Sequence, residues 1–315
     1  MNLHADPRSP YPEDVSSQWI LQRSGKPMFV FAHQDDETAM AGVIQRVAGD
    51  DQRGRFVWWT NGDGPASALG ADLDEYAKTR MAETARALSR LGLSQERKTE
   101  LCTSEVSIYK YMIDMNAGKQ AADRALLFFT REAERIRTVF EEEQPDRVFV
   151  LAWQGGQPEH DLVHVMAVRA VRQLRKQTGR PLPIIQVPAY EYGNLWALRF
   201  GPEFHGDRRV LLLGKNELEA KMAAFEAYPS QMELLERFRR IISVTSFVGR
   251  LLGHGATLES YLGREDYGVV DPNTDYTRST HRFERLDYPF DDFEKTPIRF
   301  STMVAPIAAH LLRDS

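Results

Sequence analysis

Two short segments of the chain bring together residue types that bind metals and move protons. The first is Ala32–Glu37 (AHQDDE), in which His33 and Asp36 are three residues apart across a turn. The second is Gln157–His160 (QPEH), which supplies another imidazole at His160. A neutral imidazole and a carboxylate are two of the three protein ligands that an open catalytic zinc site needs. A second imidazole would complete the set.

Asp35 lies directly before the candidate ligand Asp36, so it would sit beside the metal, free to act as a base. A plainer alternative stays open, because either carboxylate can cap the helix that follows and an extra acid there suits the helix dipole. A lone His near a helix start is likewise more often a satisfied surface or core residue than a ligand. The position of both segments, directly after predicted strands, favours the metal site.

The elements that must position these segments are predicted by apolar runs and by helical spacing. Strands are predicted over residues 26–32, 55–60, 99–103, 147–153, 183–188 and 209–213. Helices are predicted over 37–48, 74–91, 121–143, 161–177, 217–227 and 232–240. Strands that alternate with helices predict an α/β fold, with a mostly parallel sheet and helices on both faces. Ligands bind such sheets outside the carboxyl ends of the strands, which is where the two segments lie.

Composition excludes several other classes of protein and site. The 315-residue chain has a net charge of −5 and a single cysteine, Cys102. One thiol excludes a disulfide framework and any zinc site built on several thiolates, so a metal must be held by His and carboxylates. The charge gives no general attraction to nucleic acid or to anionic membranes. No apolar run approaches the ~18–20 residues that cross a bilayer, and residues 1–17 lack the features of a signal peptide, so we expect a cytoplasmic protein.

The chain is expected to form one catalytic domain with additions at both ends. A polar, proline-punctuated lead-in is predicted over residues 1–24, and the catalytic domain over residues 25–250. A composition shift near residue 250 marks a C-terminal extension over residues 251–315, which we expect to pack on the same domain. The extension is rich in charge, aromatics and turn residues, and its elements are not predicted.

The two segments, in this order, resemble the LmbE/PIG-L-like family of metal-dependent N-deacetylases. The family's hallmark is Ala-His-Pro-Asp-Asp-Glu after the first strand and His-Pro-Asp-His after a later one, against AHQDDE and QPEH here. Supporting similarity runs through residues 60–64, 80–83, 91–92 and 221–231. The resemblance covers about residues 26–235 and leaves the C-terminal extension outside it.

The resemblance implies a Rossmann-like fold and a bound divalent metal, usually zinc. It implies three metal ligands, His33, Asp36 and His160. Asp35 would be the general base that activates a metal-bound water for attack on an amide carbonyl. Arg80 matches the arginine that the family uses toward its substrate, although it can also be a surface helix residue paired with Glu83.

The sequence departs from the family pattern at positions that affect proton transfer. Gln34 replaces a proline, which loosens the turn but removes no chemistry, and Glu159 replaces an aspartate. Gln157 replaces a histidine that is thought to stabilise the oxyanion and to help protonate the leaving amine. Glutamine can donate a hydrogen bond but cannot supply a proton at neutral pH. Either Asp35 shuttles the proton, or another acid serves, for which His164 is a candidate; its alternative is a helix histidine that faces protein.

The expected function is hydrolysis of a linear C–N amide bond, by an N-deacetylase acting on an N-acetyl amino sugar or a related acetamido compound. The expected partner is therefore a small molecule, with no role for nucleic acid or membrane. Two alternatives stay open. The first is a hydrolase of the same fold that acts on another small amide. The second is a degenerate family member that binds a sugar conjugate without hydrolysing it. The replacement of a histidine by Gln157 is the observation that suggests this alternative.

Overall fold

A seven-stranded sheet forms the centre of the computed structural model, which describes residues 17–48, 54–191, 196–201, 203–232, 236, 258–289 and 291–313. The strands are β1 (Pro27–Phe31), β2 (Arg55–Thr60), β3 (Lys98–Thr103), β4 (Arg147–Leu151), β5 (Ile184–Val187), β6 (Tyr190–Glu191), β7 (Trp196–Ala197), β8 (Arg209–Leu212), β9 (Arg264–Val269), β10 (Asp292–Phe293) and β11 (Thr296–Pro297). The main sheet has the order β3-β2-β1-β4-β5-β9-β8. Its first five strands are parallel, and β9 runs antiparallel to both of its neighbours.

The central strands are buried on both faces, which explains their unbroken apolar sequences. Every residue of β1 (PMFVF) and of β4 (RVFVL) is buried, as expected for parallel strands covered by helices on both sides. Val30 of β1 pairs with Val57 of β2 and with Val150 of β4. The carboxyl ends of these three strands therefore meet at one edge of the sheet.

Helices cover both faces of the sheet. They are α1 (Ser17–Ile20), α2 (Ala41–Ala48), α3 (Gly64–Leu69), α4 (Leu73–Arg90), α5 (Glu105–Asp114), α6 (Lys119–Glu143), α7 (Pro158–Thr178), α8 (Lys215–Phe225), α9 (Leu258–Leu262) and α10 (Ala305–Leu312). One core lies between the sheet and α5, α6, α7 and α10, and the other between the sheet and α2, α4, α8 and α9. Along β1, Met28 and Val30 point into the first core, whereas Phe29 and Phe31 point into the second. The predicted α/β fold, mostly parallel with helices on both faces, is confirmed.

Two predicted helix starts were wrong, and both lie at the candidate site. The helix expected from residue 37 is preceded by a 3₁₀ turn over Asp36–Thr38, and α2 begins at Ala41. The helix expected from residue 161 begins at Pro158, which is favourable at the first helical position because proline lacks the N–H that would have no partner there. The helix predicted over residues 232–240 lies almost wholly outside the described residues.

The C-terminal region contributes to the same sheet and to both of the cores. Strand β9 lies between β5 and β8, and α10 packs against α6 and α7. The boundary near residue 250 stays a prediction. Among the helices that the structure describes, none combines the length and apolar character needed to span a membrane.

Candidate active site

Three side chains with metal-binding atoms meet where β1 and β4 end. His33 and Asp36 follow β1, and His160 lies in the first turn of α7, which follows β4. The His160 Nε2 atom is 3.0 Å from Asp36 Oδ1 and 3.1 Å from His33 Nδ1. The His33 Nδ1 atom is 3.8 Å from Asp36 Oδ2. All three side chains are buried, so two strands adjacent in the sheet bring together residues that lie 127 positions apart.

The turn after β1 holds the Asp36 carboxylate rigidly. Its Oδ2 accepts hydrogen bonds from the backbone N–H of Ala32 at 2.9 Å and of His33 at 2.7 Å. Its Oδ1 remains directed at His160. Asp35, at the start of the 3₁₀ turn, makes no side-chain capping bond. Helix capping therefore does not account for Asp35.

Burial and the Asp36 carboxylate together set the pKa values of the cluster. Burial lowers the pKa of His33 to about 4, so its imidazole is neutral and its lone pair is available. Burial raises the pKa of Asp36, but the His160 ring outweighs this and the net pKa is below its ordinary value. Burial lowers the pKa of His160, but the Asp36 carboxylate outweighs this and the net pKa is raised. The Asp36 carboxylate therefore favours positive charge on the groups next to it.

The donor set fits a divalent metal. Zinc bound tetrahedrally at 2.0–2.1 Å places its ligand atoms about 3.4 Å apart. Here His160 Nε2 is 3.1 Å from His33 Nδ1 and 3.0 Å from Asp36 Oδ1, and the 3.8 Å separation joins His33 Nδ1 to the other carboxylate oxygen, Asp36 Oδ2. Within the described residues, this is the one group of three such side chains whose ligand atoms all lie within 4.8 Å of one another. His33 Nε2 is buried without a hydrogen-bond partner in the described part of the chain, and Glu105 Oε1 lies 3.9 Å from it. A carboxylate near the second nitrogen of a ligating histidine is common in metal sites.

Asp35 is held beside the cluster by Arg80. The Arg80 Nη2 atom donates to Asp35 Oδ2 at 3.1 Å and also to the carbonyl of Gln34. Arg80 is buried, and its Nη1 is 3.4 Å from Glu83, so the helix pairing considered for it also occurs, but not at the surface. Asp35 has a φ of 115°, a region that residues other than glycine rarely occupy. Burial raises the pKa of Asp35 and outweighs the opposing effect of Arg80.

One polar pocket collects most of the predicted site residues. It is lined by His33, Asp35, Asp36, Gly62, Pro65, Arg80, Glu105, Gln157, Tyr190 and Gln231. Gln157 is the residue that precedes α7, and its side chain makes no capping bond there. Glu105 and Tyr190 are among the residues of this pocket that sequence reasoning did not assign to the site. Glu105 follows the parallel strand β3, so the rule that directs ligands to the carboxyl ends of strands would have found it. Tyr190 stacks on His160 with ring centroids 5.5 Å apart.

The structure does not bring His164 to this pocket. Its Nδ1 lies 2.7 Å from the carbonyl of Leu151 and its Nε2 lies 3.1 Å from the Tyr276 hydroxyl. Burial lowers its pKa to about 4, so the ring is uncharged at neutral pH. The geometry gives no support to the predicted role of His164 as an acid.

Comparison with known proteins agrees with this geometry. Residues 28–171 match the family described as PIG-L: GlcNAc-PI de-N-acetylase. These residues form a PIG-L family domain. The match contains both segments recognised in the sequence, and the predicted family is confirmed. The PIG-L domain also confirms the predicted enzyme class, a hydrolase that cleaves an amide bond. No curated protein matches the sequence.

Solved structures share the fold of the PIG-L domain at low sequence identity. A deacetylase of teicoplanin biosynthesis is 18% identical with a TM-score of 0.55, and the match covers 79% of this chain and 100% of that one. The A40926 pseudoaglycone deacetylase is 15% identical with a TM-score of 0.53, covering 79% and 99%. The N,N'-diacetylchitobiose deacetylase from Pyrococcus horikoshii is 17% identical with a TM-score of 0.51, covering 81% and 87%. These likenesses establish the fold.

Gln34, where the family pattern has proline, lies inside the turn that follows β1 in the PIG-L domain. Gln34 is buried, and its Nε2 donates to the carbonyl of Thr60 at 2.8 Å. That bond joins the carboxyl end of β1 to the carboxyl end of β2. The replacement of proline therefore adds a contact between two strand ends at the site.

Proposed function

We propose that this chain is a divalent-metal-dependent hydrolase that deacetylates an N-acetyl amino sugar or a related acetamido compound. The observation that carries the proposal is the buried cluster of His33, Asp36 and His160, with ligand atoms that all lie within 4.8 Å of one another. The same pocket contains Asp35 and Arg80. Zinc favours a ligand set of two neutral imidazoles and one carboxylate, so zinc is the proposed ion.

The residues of the pocket divide the work of amide hydrolysis. When bound, the cation supplies a Lewis acid and makes hydroxide available near neutral pH. Asp35 accepts the proton of the attacking water and delivers it to the leaving nitrogen as the C–N bond breaks, which yields acetate and the free amine. Arg80 holds the Asp35 carboxylate in position. The Gln157 amide donates a hydrogen bond to the carbonyl oxygen as negative charge develops there.

The names of related proteins support an amino-sugar substrate. The family is described as a GlcNAc-PI de-N-acetylase, and one structure of the same fold is an N,N'-diacetylchitobiose deacetylase. Both names specify an N-acetylated sugar. The polar lining of the pocket suits such a substrate, because Glu105 and Gln157 offer hydrogen bonds to hydroxyl groups.

The test is amine release from N-acetylglucosamine and from N,N'-diacetylchitobiose by the purified chain. Dialysis against a chelator is expected to abolish release, and added zinc to restore it. Asp35→Asn is expected to lower kcat by about 10²–10⁴-fold, the usual contribution of a general base. The matched control is Asp74→Asn, which changes an exposed aspartate of α4 and is expected to leave the rate unchanged. Full turnover by metal-free protein or by Asp35→Asn would contradict the proposal.

A further inference from the structure

A second pocket borders Asp35 and Asp36 on a side different from the polar one. It has a cavity volume of about 60 Å³ and opens to solvent. Besides the two carboxylates, carbon surface dominates its lining, from Ala39, Ala189, Leu198, Phe225 and Tyr228. The polar pocket and this apolar pocket both include Asp35, Asp36, Tyr190 and Gln231. They therefore meet at the carboxylates of the site.

Three polar groups of this lining donate their hydrogen bonds within the protein. The Tyr228 hydroxyl donates to Glu37, so the ring carbons are what the residue offers to the pocket. The Thr38 hydroxyl donates to the carbonyl of Asp35 at 2.6 Å. The Gln231 amide nitrogen donates to the Tyr76 hydroxyl at 3.2 Å. Among the described lining residues, these three groups are therefore already engaged, and the carboxylates of Asp35 and Asp36 are the charged groups that border the pocket.

We infer that the apolar pocket holds the alkyl chain of the acyl group, so that the same site also removes acyl groups longer than acetyl, and with a higher kcat/KM. The inference rests on the proposed function. An amide has two substituents, and a sugar on its nitrogen matches the polar pocket that contains Glu105 and Gln157. The other substituent, the acyl chain, then lies in the apolar pocket. An apolar aglycone is a poorer occupant, because the sugar ring separates it from the amide, whereas this pocket borders the carboxylates themselves.

The chain-length dependence of hydrolysis tests this assignment directly. The substrates are N-acetyl-, N-butanoyl- and N-hexanoylglucosamine, with released glucosamine as the readout. Each methylene that enters the pocket is expected to raise kcat/KM by up to about fourfold. The butyl glycoside of N-acetylglucosamine adds the same number of carbons as the hexanoyl group, but on the aglycone side. It is expected to show no comparable gain.

Filling the pocket gives an independent test. Ala189 is buried, with its N–H bonded to Gln154 and its carbonyl to the N–H of Leu198, so its backbone is fixed. Ala189→Leu is expected to lower the ratio of kcat/KM for the hexanoyl amide to kcat/KM for the acetyl amide about tenfold or more. The reason is that the larger side chain excludes two or more methylenes of the acyl chain from the pocket. Ala39→Leu, on another wall, is expected to act in the same direction and serves if the first variant does not fold. Ala117→Leu makes the same change at an exposed position and is expected to keep the wild-type ratio.

The outcomes separate this inference from the proposed function. Cleavage of N-acetylglucosamine at least as fast as of the longer amides overturns the acyl pocket and leaves the deacetylase intact. A gain with the butyl glycoside but not with the hexanoyl amide also overturns it. Cleavage of none of these amides by metal-loaded, folded protein overturns the proposed function and the acyl pocket together. A rise in kcat/KM with acyl length that Ala189→Leu or Ala39→Leu removes supports the inference.

Discussion

Arg80 and Asp35 form an ion pair across 45 residues of sequence, with Nη2 3.1 Å from Oδ2. The guanidinium also donates to the carbonyl of Gln34, so it fixes the backbone of the same turn. That turn carries the unfavourable φ of 115° at Asp35, a conformation that persists only when its surroundings hold it. We therefore interpret Arg80 as a positioning residue that acts through Asp35.

Arg80→Lys is expected to lower kcat up to about 10²-fold with little change in KM. A single ammonium cannot donate to Asp35 and Gln34 in the geometry of the guanidinium, and small displacements of a catalytic group cost about this much. Steady-state kinetics on the N-acylglucosamine series gives both constants. Arg86→Lys, on the exposed side of the same helix, is the control and is expected to match wild type. A raised KM at unchanged kcat would instead assign Arg80 to substrate binding.

Metal affinity is expected to fall in two distinct steps when the cluster is altered. Asp36→Asn keeps an oxygen for the N–H groups of Ala32 and His33 but removes the ligand charge, so we expect near-complete loss of the bound ion. Glu105→Gln removes only the carboxylate 3.9 Å from His33 Nε2, and we expect a loss of about 10–100-fold in affinity. Competition with a chelating dye measures both. Equal affinity in wild type and Asp36→Asn would contradict the ligand assignment.

The parts of the fold that the sequence predicts are those whose burial leaves a simple pattern. Strands β1 and β4 are covered on both faces, so their unbroken apolar runs identified them and placed the two site segments at their ends. Strand β9 (REDYGV) escaped prediction because Glu265 is a buried residue within it. That carboxylate is satisfied by Lys221 at 2.6 Å and by the N–H groups of Gly42 and Val43. These partners are distant in sequence, so no local sequence pattern indicates the strand.

The site residues that the sequence predicts are likewise those marked by a local pattern, whereas contacts between distant segments could not be predicted. His33, Asp36 and His160 were predictable together because each lies next to a recognisable strand. His164 shares the helix with His160, but four residues further along it points to the carbonyl of Leu151 and to Tyr276. Tyr276 belongs to the C-terminal region, whose elements the sequence left unplaced. The environment of His164 therefore depended on a contact that only the fold supplies.

Gln157→His is expected to raise kcat at least about tenfold near pH 6.5, because an imidazole can supply the proton that glutamine cannot. The pH profile of kcat is expected to gain a descending limb at high pH, where the new imidazole loses its proton. Gln157→Ala, which removes the hydrogen-bond donor altogether, is expected to lower kcat by about 10²-fold. Both are measured from pH 5 to 9 with released amine as the readout. An unchanged or lower kcat in Gln157→His would mean that Asp35 alone carries the proton.

His164 is expected to make the folded state lose stability in mild acid. Burial lowers its pKa from 6.5 to about 4, so between these values the unfolded chain binds more protons than the folded one. Stability contributed by the neutral ring is complete above pH 6.5 and is lost as the pH falls toward 4. At pH 5 the loss of unfolding free energy relative to pH 8 is about 2 kcal/mol.

His164→Asn keeps a donor for the carbonyl of Leu151 and cannot titrate, so its free energy of unfolding should fall less between these pH values. Urea unfolding with chelator present measures this, because the metal ligands are then equal in both proteins. His205→Asn, at an exposed histidine, should retain the wild-type dependence, whereas a His164→Asn curve parallel to wild type would exclude this origin.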